Sequence, residues 1–83
     1  MDYRVRVRPS ALKHDIAPEE SIQAARTAVY VAPLDEENPQ RELRLGFDTH
    51  ARLLELVVLT WDDGTEEIIH SMRARKQYLT LIS

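Results

Sequence analysis

The chain contains no cysteine, so disulfide frameworks, thiolate catalysis and cysteine metal sites are excluded. It has only two glycines, in unrelated contexts, which leaves no glycine-rich loop to cradle a phosphate. The apolar run Leu56 to Leu59 is far too short to span a bilayer. The opening residues, MDYRVRVRPS, lack the apolar core of a secretory leader, and a cytoplasmic location is the expectation. Serines occur without a recognisable nucleophile elbow. His14, His50 and His70 lack the close spacing of a metal site, so no metal or cofactor is implied.

What remains is a chain of 83 residues, enough for one domain over 1–83. A domain of this size buries roughly 60–65% of its unfolded surface, so its core is thin. The net charge is −3, but it is unevenly spread. Arg4, Arg6, Arg8 and Lys13 crowd the N-terminal end, and Arg73, Arg75 and Lys76 the C-terminal end. The acids collect between them. Brought together, the two ends would form a local basic surface able to hold a phosphate backbone.

The hydropathy pattern predicts an α+β fold. Tyr3, Val5 and Val7 alternate with arginines, as in a half-buried edge strand that Pro9 ends. Pro18, Glu19 and Glu20 open a helix that runs to Thr27 or Ala28 with Ile22, Ala25 and Val29 on one face. Residues 29–32 read as a strand and 33–40 as an acidic loop. Leu43, Leu45 and Phe47 form a strand with one face in the core, and Leu53 to Trp61 a central strand covered on both faces. Asp62-Asp63-Gly64 is a hairpin turn, with Gly64 free to take positive φ. Glu66–Ser71 is the partner strand. Arg73 to Ile82 is expected to be a helix docked on the sheet through Tyr78, Leu79 and Ile82. The expected order is β-α-β-β-β-β-α, an antiparallel meander with helices packed on it. Trp61 is expected to be partly buried near the hairpin.

Four stretches carry candidate chemistry. Lys13-His14 stands just before a helix start, where neither side chain can serve as a cap. A neutral imidazole can accept a proton near physiological pH. Arg73 and Arg75 lie at the joint between the last strand and the last helix, where cations oppose the helix dipole; each offers a planar fork suited to phosphate oxygens. His70 precedes them. Arg52 opens the central strand, and Glu42 sits in QRELRLG.

The order KHDIAPEE, RELRLG, ARLLELVVLT, IIHSMRARKQYL, over residues 11–79, resembles the BrnT-type toxins of bacterial type II toxin–antitoxin systems, which have a RelE-like fold and act as ribonucleases. Residue by residue, Lys13 and His14 match the family's functional pair and Glu42 the acid before its strand glycine. Arg52 matches the arginine of its central strand and Arg73 the arginine after its serine. His70, Met72 and Arg75 are similar to a second signature of short toxin-like chains. Asp15 stands where the family has glycine, and aspartate tolerates the left-handed conformation that such a turn asks for.

The resemblance implies metal-independent RNA cleavage through 2′-hydroxyl attack. His14 would be the base and Lys13 would steady the phosphate. Arg73 and Arg75 would neutralise the pentacoordinate phosphorus, and Arg52 would position the backbone. His70 and Tyr78 would help bind the RNA, and the general acid is unassigned, a role either of the two could serve. It implies RNA as substrate, a cognate and DNA-binding antitoxin as partner, and a toxin–antitoxin assembly, with no membrane. The alternatives are an inactive module of the same fold acting as antitoxin partner or corepressor, and a plain structural domain.

Overall fold

Alternating valines and arginines open the chain, and they form a strand in the computed structural model, which describes residues 4–82. Tyr3, expected on the same strand, lies outside the described residues. Strand β1 is Val5–Val7, followed by a 3-10 turn over Pro9–Leu12. Helix α1 spans Pro18–Arg26, with Pro18 in its first turn and Glu19 and Glu20 against its positive end. Strands β2, β3, β4 and β5 span Tyr30–Pro33, Gln40–Phe47, Leu53–Thr60 and Glu66–Arg73. A single turn, α2, covers Lys76–Leu79.

The fold is α+β, built on one five-stranded sheet in the order β1-β5-β4-β3-β2. Strands β2 to β5 form an antiparallel meander, but β1 adds to the edge of β5 in parallel, so the sheet is mixed rather than wholly antiparallel. A parallel neighbour needs a crossover connection, and here α1 and the strands after it intervene between β1 and β5.

Helix α1 presents Ser21, Ala24 and Ala25, all buried, to the sheet. Leu54, Leu56, Val58 and Ile68 meet it there, joined by Ala11 and Ile16, with Val5, Val7 and Ile22 at the margin. Small residues bring helix and sheet close. A Cβ added at Gly46 would fall onto the carbonyl oxygen of Ala24, so only glycine fits under the helix. Ser21 and Ser71 satisfy each other's hydroxyls in this interface, 2.6 Å apart.

Strand β3 buries Leu43 and Leu45 as expected, but not Phe47, and its other face is covered as well. Glu42, Arg44 and Gly46 are in register with Val58, Leu56 and Leu54 and face α1, whereas Leu43 and Leu45 face the other way and Phe47 is 44% exposed. A charged residue is tolerated beneath the helix because it is fully paired. Arg44 donates to both oxygens of Glu66 at 3.0 and 2.6 Å, to Glu42 at 3.0 Å and to the Ala25 carbonyl at 3.1 Å.

The C-terminal helix is also shorter than expected. β5 continues to Arg73, and only one helical turn follows, without a buried residue. Four residues cannot sustain a helix through local hydrogen bonds alone. Val29 lies beyond the end of α1 and is 57% exposed. Gly64 takes φ 89° in the β4–β5 hairpin, and Trp61 is half-buried beside it. No helix among the described residues is long and apolar enough to cross a membrane.

Candidate active site

A bulge in β5 decides which side chains meet. Val58 is in register with Ile68, but the next pair is Val57 with His70, so Ile69 is an extra residue in the ladder. Ordinary alternation would put His70 on the same face as Ile68, in the core. The extra residue turns it to the opposite face and sends Ser71 to the helix instead. Met72, two positions on, is in register with Glu55 on this second face.

Glu55 is the hub of that face. It is 1% exposed and its carboxylate accepts four hydrogen bonds. The Arg75 backbone N–H and Nε reach Oε1, both at 3.0 Å, and Arg75 Nη2 reaches Oε2 at 2.9 Å. His70 Nε2 meets Oε2 at 3.0 Å. Burial pushes the carboxyl up, but the donors on Arg75 and His70 outweigh it and hold Glu55 below the ordinary glutamate range. An ionised Glu55 accepts only, so Nε2 of His70 carries the proton and Nδ1 is the ring atom left to exchange one. The same contact raises Arg75 above the ordinary guanidinium value. The Arg75 guanidinium also lies 5.6 Å from the centre of the Tyr78 ring.

His14 arrives from the other end of the chain. Ser10 Oγ donates to the carbonyl of the bulge residue Ile69 at 2.8 Å and pins the 3-10 turn against β5. The Asp15 N–H closes the following turn on Leu12 at 3.2 Å, and Asp15 takes φ 62°, a left-handed conformation. The His14 ring then meets the His70 ring edge to face, with centroids 5.7 Å apart and planes at 75°. Lys13, exposed, ends the 3-10 turn beside it.

Thus His14, His70, Arg75 and Tyr78 are brought to one region, with Lys13 next to His14. Three expected site residues stand elsewhere. Arg73 is in register with Leu54, on the α1 side of the strand, and does not join Arg75 at Glu55. Glu42 faces α1 and serves the Arg44 ion pair. Arg52 closes the β3–β4 turn: its Nε reaches Asp48 Oδ2 at 2.7 Å, while the Arg52 and His50 N–H groups both reach Asp48 Oδ1 at 2.9 Å. Burial pushes the Asp48 carboxyl up, and the Arg52 and His50 donors more than reverse it. The Ala74 N–H bonds the Leu53 carbonyl, which leaves Arg52 at the same end of the sheet as Arg73.

Sequence reasoning missed Glu55. Its signal is the lone acid inside LLELVVL, an ionisable group where only apolar side chains are expected. A cleft of about 350 Å³ opens beside it, floored by Leu43, Val57 and Ile69 and edged by Leu34, Arg41, His70, Arg75 and Tyr78. Among the described residues no group of three His, Asp or Glu side chains gathers as a metal site.

No known protein family, curated protein or solved structure matches this chain. The chemistry of the cluster must be read from its geometry. Two imidazoles within one substrate group of each other suit proton transfer in and out of a reaction. A lysine and a half-exposed guanidinium beside them suit an anionic substrate.

Proposed function

We propose that the protein is a RelE-like ribonuclease toxin of the BrnT type, acting in the cytoplasm and neutralised by a cognate antitoxin. The observation that carries the reading is the His14–His70 ring pair, anchored by Glu55 and flanked by Lys13 and Arg75.

In this reading His14 takes the proton of the RNA 2′-hydroxyl, and the oxygen attacks the adjacent phosphorus. Lys13 and the outer edge of Arg75 offset the charge gathered on the phosphoryl oxygens. The bond from phosphorus to the 5′ oxygen breaks. A protonated His70, its Nε2–H bonded to Glu55, delivers the Nδ1 proton to that leaving oxygen. The products are a 2′,3′-cyclic phosphate and a 5′-hydroxyl, and no metal step is needed.

One observation favours a second reading, an inactive module of this fold that binds an antitoxin. Arg75 already spends three donors on Glu55, and Arg73 is directed to the other side of the strand. That leaves fewer free cations around a phosphate than two cooperating arginines would supply.

Expression under a tight promoter separates the two. Growth arrest with RNA loss, relieved by His14→Ala while the variant stays folded, supports the enzyme. Purified protein should then cleave RNA and leave the 2′-deoxy analogue intact. A folded, well-expressed protein that neither arrests growth nor cleaves RNA would refute the enzyme and support the second reading. A neighbouring reading frame for a small DNA-binding protein is expected under both.

A further inference from the structure

The proposed cleavage uses the rim of the cleft, and the interior of the cleft has no part in it. Leu43, Val57 and Ile69 give it an apolar surface beside Glu55, and the phenol ring of Tyr78 stands at its edge with the His70 imidazole. A volume of about 350 Å³ exceeds what one phosphate needs and accommodates a flat heterocycle with its sugar. Arg41 lines the cleft from β3, with β4 between it and His70 on β5. It is in register with Leu59 and shares its face of β3 with Leu43, which is in register with Val57.

Arg41 is held in an unusual way. Its N–H and Nε both bond Asp35, at 3.1 and 2.7 Å, so the base of the guanidinium is fixed. Neither terminal amino group makes a hydrogen bond within the described residues, and the side chain is 54% exposed. A tethered arginine with two free parallel donors matches a partner with two adjacent acceptors.

We infer that the cleft binds the nucleobase next to the scissile phosphate, and that Arg41 makes it selective for guanine. This inference rests on the ribonuclease reading for the presence of RNA. Guanine offers O6 and N7 as adjacent acceptors on the edge far from its ribose, where an arginine fork pairs with both. Adenine has a donor beside N7, and uracil has no two adjacent acceptors. Cytosine has N3 and O2, but O2 lies on the ribose side and the single ring covers less of Tyr78. Leu34 and Tyr78 supply the apolar and aromatic surface on which a purine stacks. The scissile phosphate then falls toward His70 and Arg75 on the same rim.

The test uses uncleavable 2′-O-methyl trinucleotides U-X-U, with X each of the four bases, titrated into the full chain. Methyl resonances of Leu34, Leu43 and Val57 and ring resonances of Tyr78 report occupancy. The G probe should bind at least about tenfold more tightly than the other three, in line with one bidentate arginine contact. Those methyls should shift. Arg41→Lys keeps the charge but loses the fork, and should reduce the preference to near unity. Equal affinity for all four probes, or shifts that avoid Leu43 and Val57, would overturn the inference. Ribonucleotide versions keep the two claims apart. Selective binding of the G probe without cleavage upholds the base site and refutes the nuclease. Equal cleavage of all four does the reverse.

Discussion

The rings of His14 and His70 stand edge to face, 5.7 Å between centroids, although one belongs to the first turn of the chain and the other to its last strand. The Ser10 hydroxyl, bonded to the Ile69 carbonyl, joins the two segments at that point. The residues that hold the pair are therefore distinct from the residues that would react, and the two can be tested apart.

His14 is exposed and meets the His70 ring at its edge, so removing it should leave the fold intact. His14→Ala should lower RNA cleavage about 10²- to 10⁴-fold, the usual contribution of a positioned base. Its thermal midpoint should stay within the shift expected for about 0.5 kcal/mol. A cleavage assay paired with a melting curve checks both halves, and a folded variant at full rate would remove His14 from the mechanism.

Glu55 makes stability depend on acid. Its folded-state pKa is depressed, so the unfolded chain binds the extra proton. The stabilisation is fully present above the ordinary glutamate value of about 4.3 and is lost as pH falls through the lower folded value. Asp48 acts with the same sign. Urea midpoints between pH 6 and pH 2 should fall steeply in the wild type and less so in Glu55→Gln. That variant should itself cost about 1–3 kcal/mol near neutrality, because the contacts of Arg75 and His70 to a buried carboxylate are weakened.

The Ser21–Ser71 pair should be strongly non-additive. Ser71→Ala leaves a buried hydroxyl on Ser21 without its partner and should cost about 1–3 kcal/mol. The double variant Ser21→Ala/Ser71→Ala removes both polar groups and should cost less than the sum of the singles. A double-mutant cycle by denaturation measures the coupling, and additive values would contradict the geometry.

Gly46→Ala should destabilise by about 1–3 kcal/mol or more, because the added methyl meets helix backbone rather than a movable side chain. For a domain of this size each kcal/mol lowers the melting temperature by about 4–8 °C. An unchanged melting temperature would mean that α1 lies further from β3 than described.

Much of the fold was legible because its signals are local. Pro18 with two glutamates marks the start of α1, and Asp62-Asp63-Gly64 marks the hairpin. Alternation in β3 showed a strand but not its orientation. Leu43 and Leu45 are buried as the alternation suggested, but Gly46 and the paired Arg44 put the polar side under the helix. The direction of β1 depends on long-range pairing that no local pattern encodes. At the site, Lys13, His14, His70, Arg75 and Tyr78 were visible as residue types. Glu55 was not, because a buried acid reads as an interruption in an apolar strand until its four donors are seen.

The extra residue in β5 has a consequence for how firmly the strand must be held in register. Pairing the same residues without the bulge, with Ile69 opposite Val57, would preserve the sequence, the sheet order and the helix. It would also rotate the imidazole inward against Ser21 and push a serine hydroxyl out toward Glu55. A slip of one residue in register could thus silence the proposed chemistry without altering any of the reacting side chains.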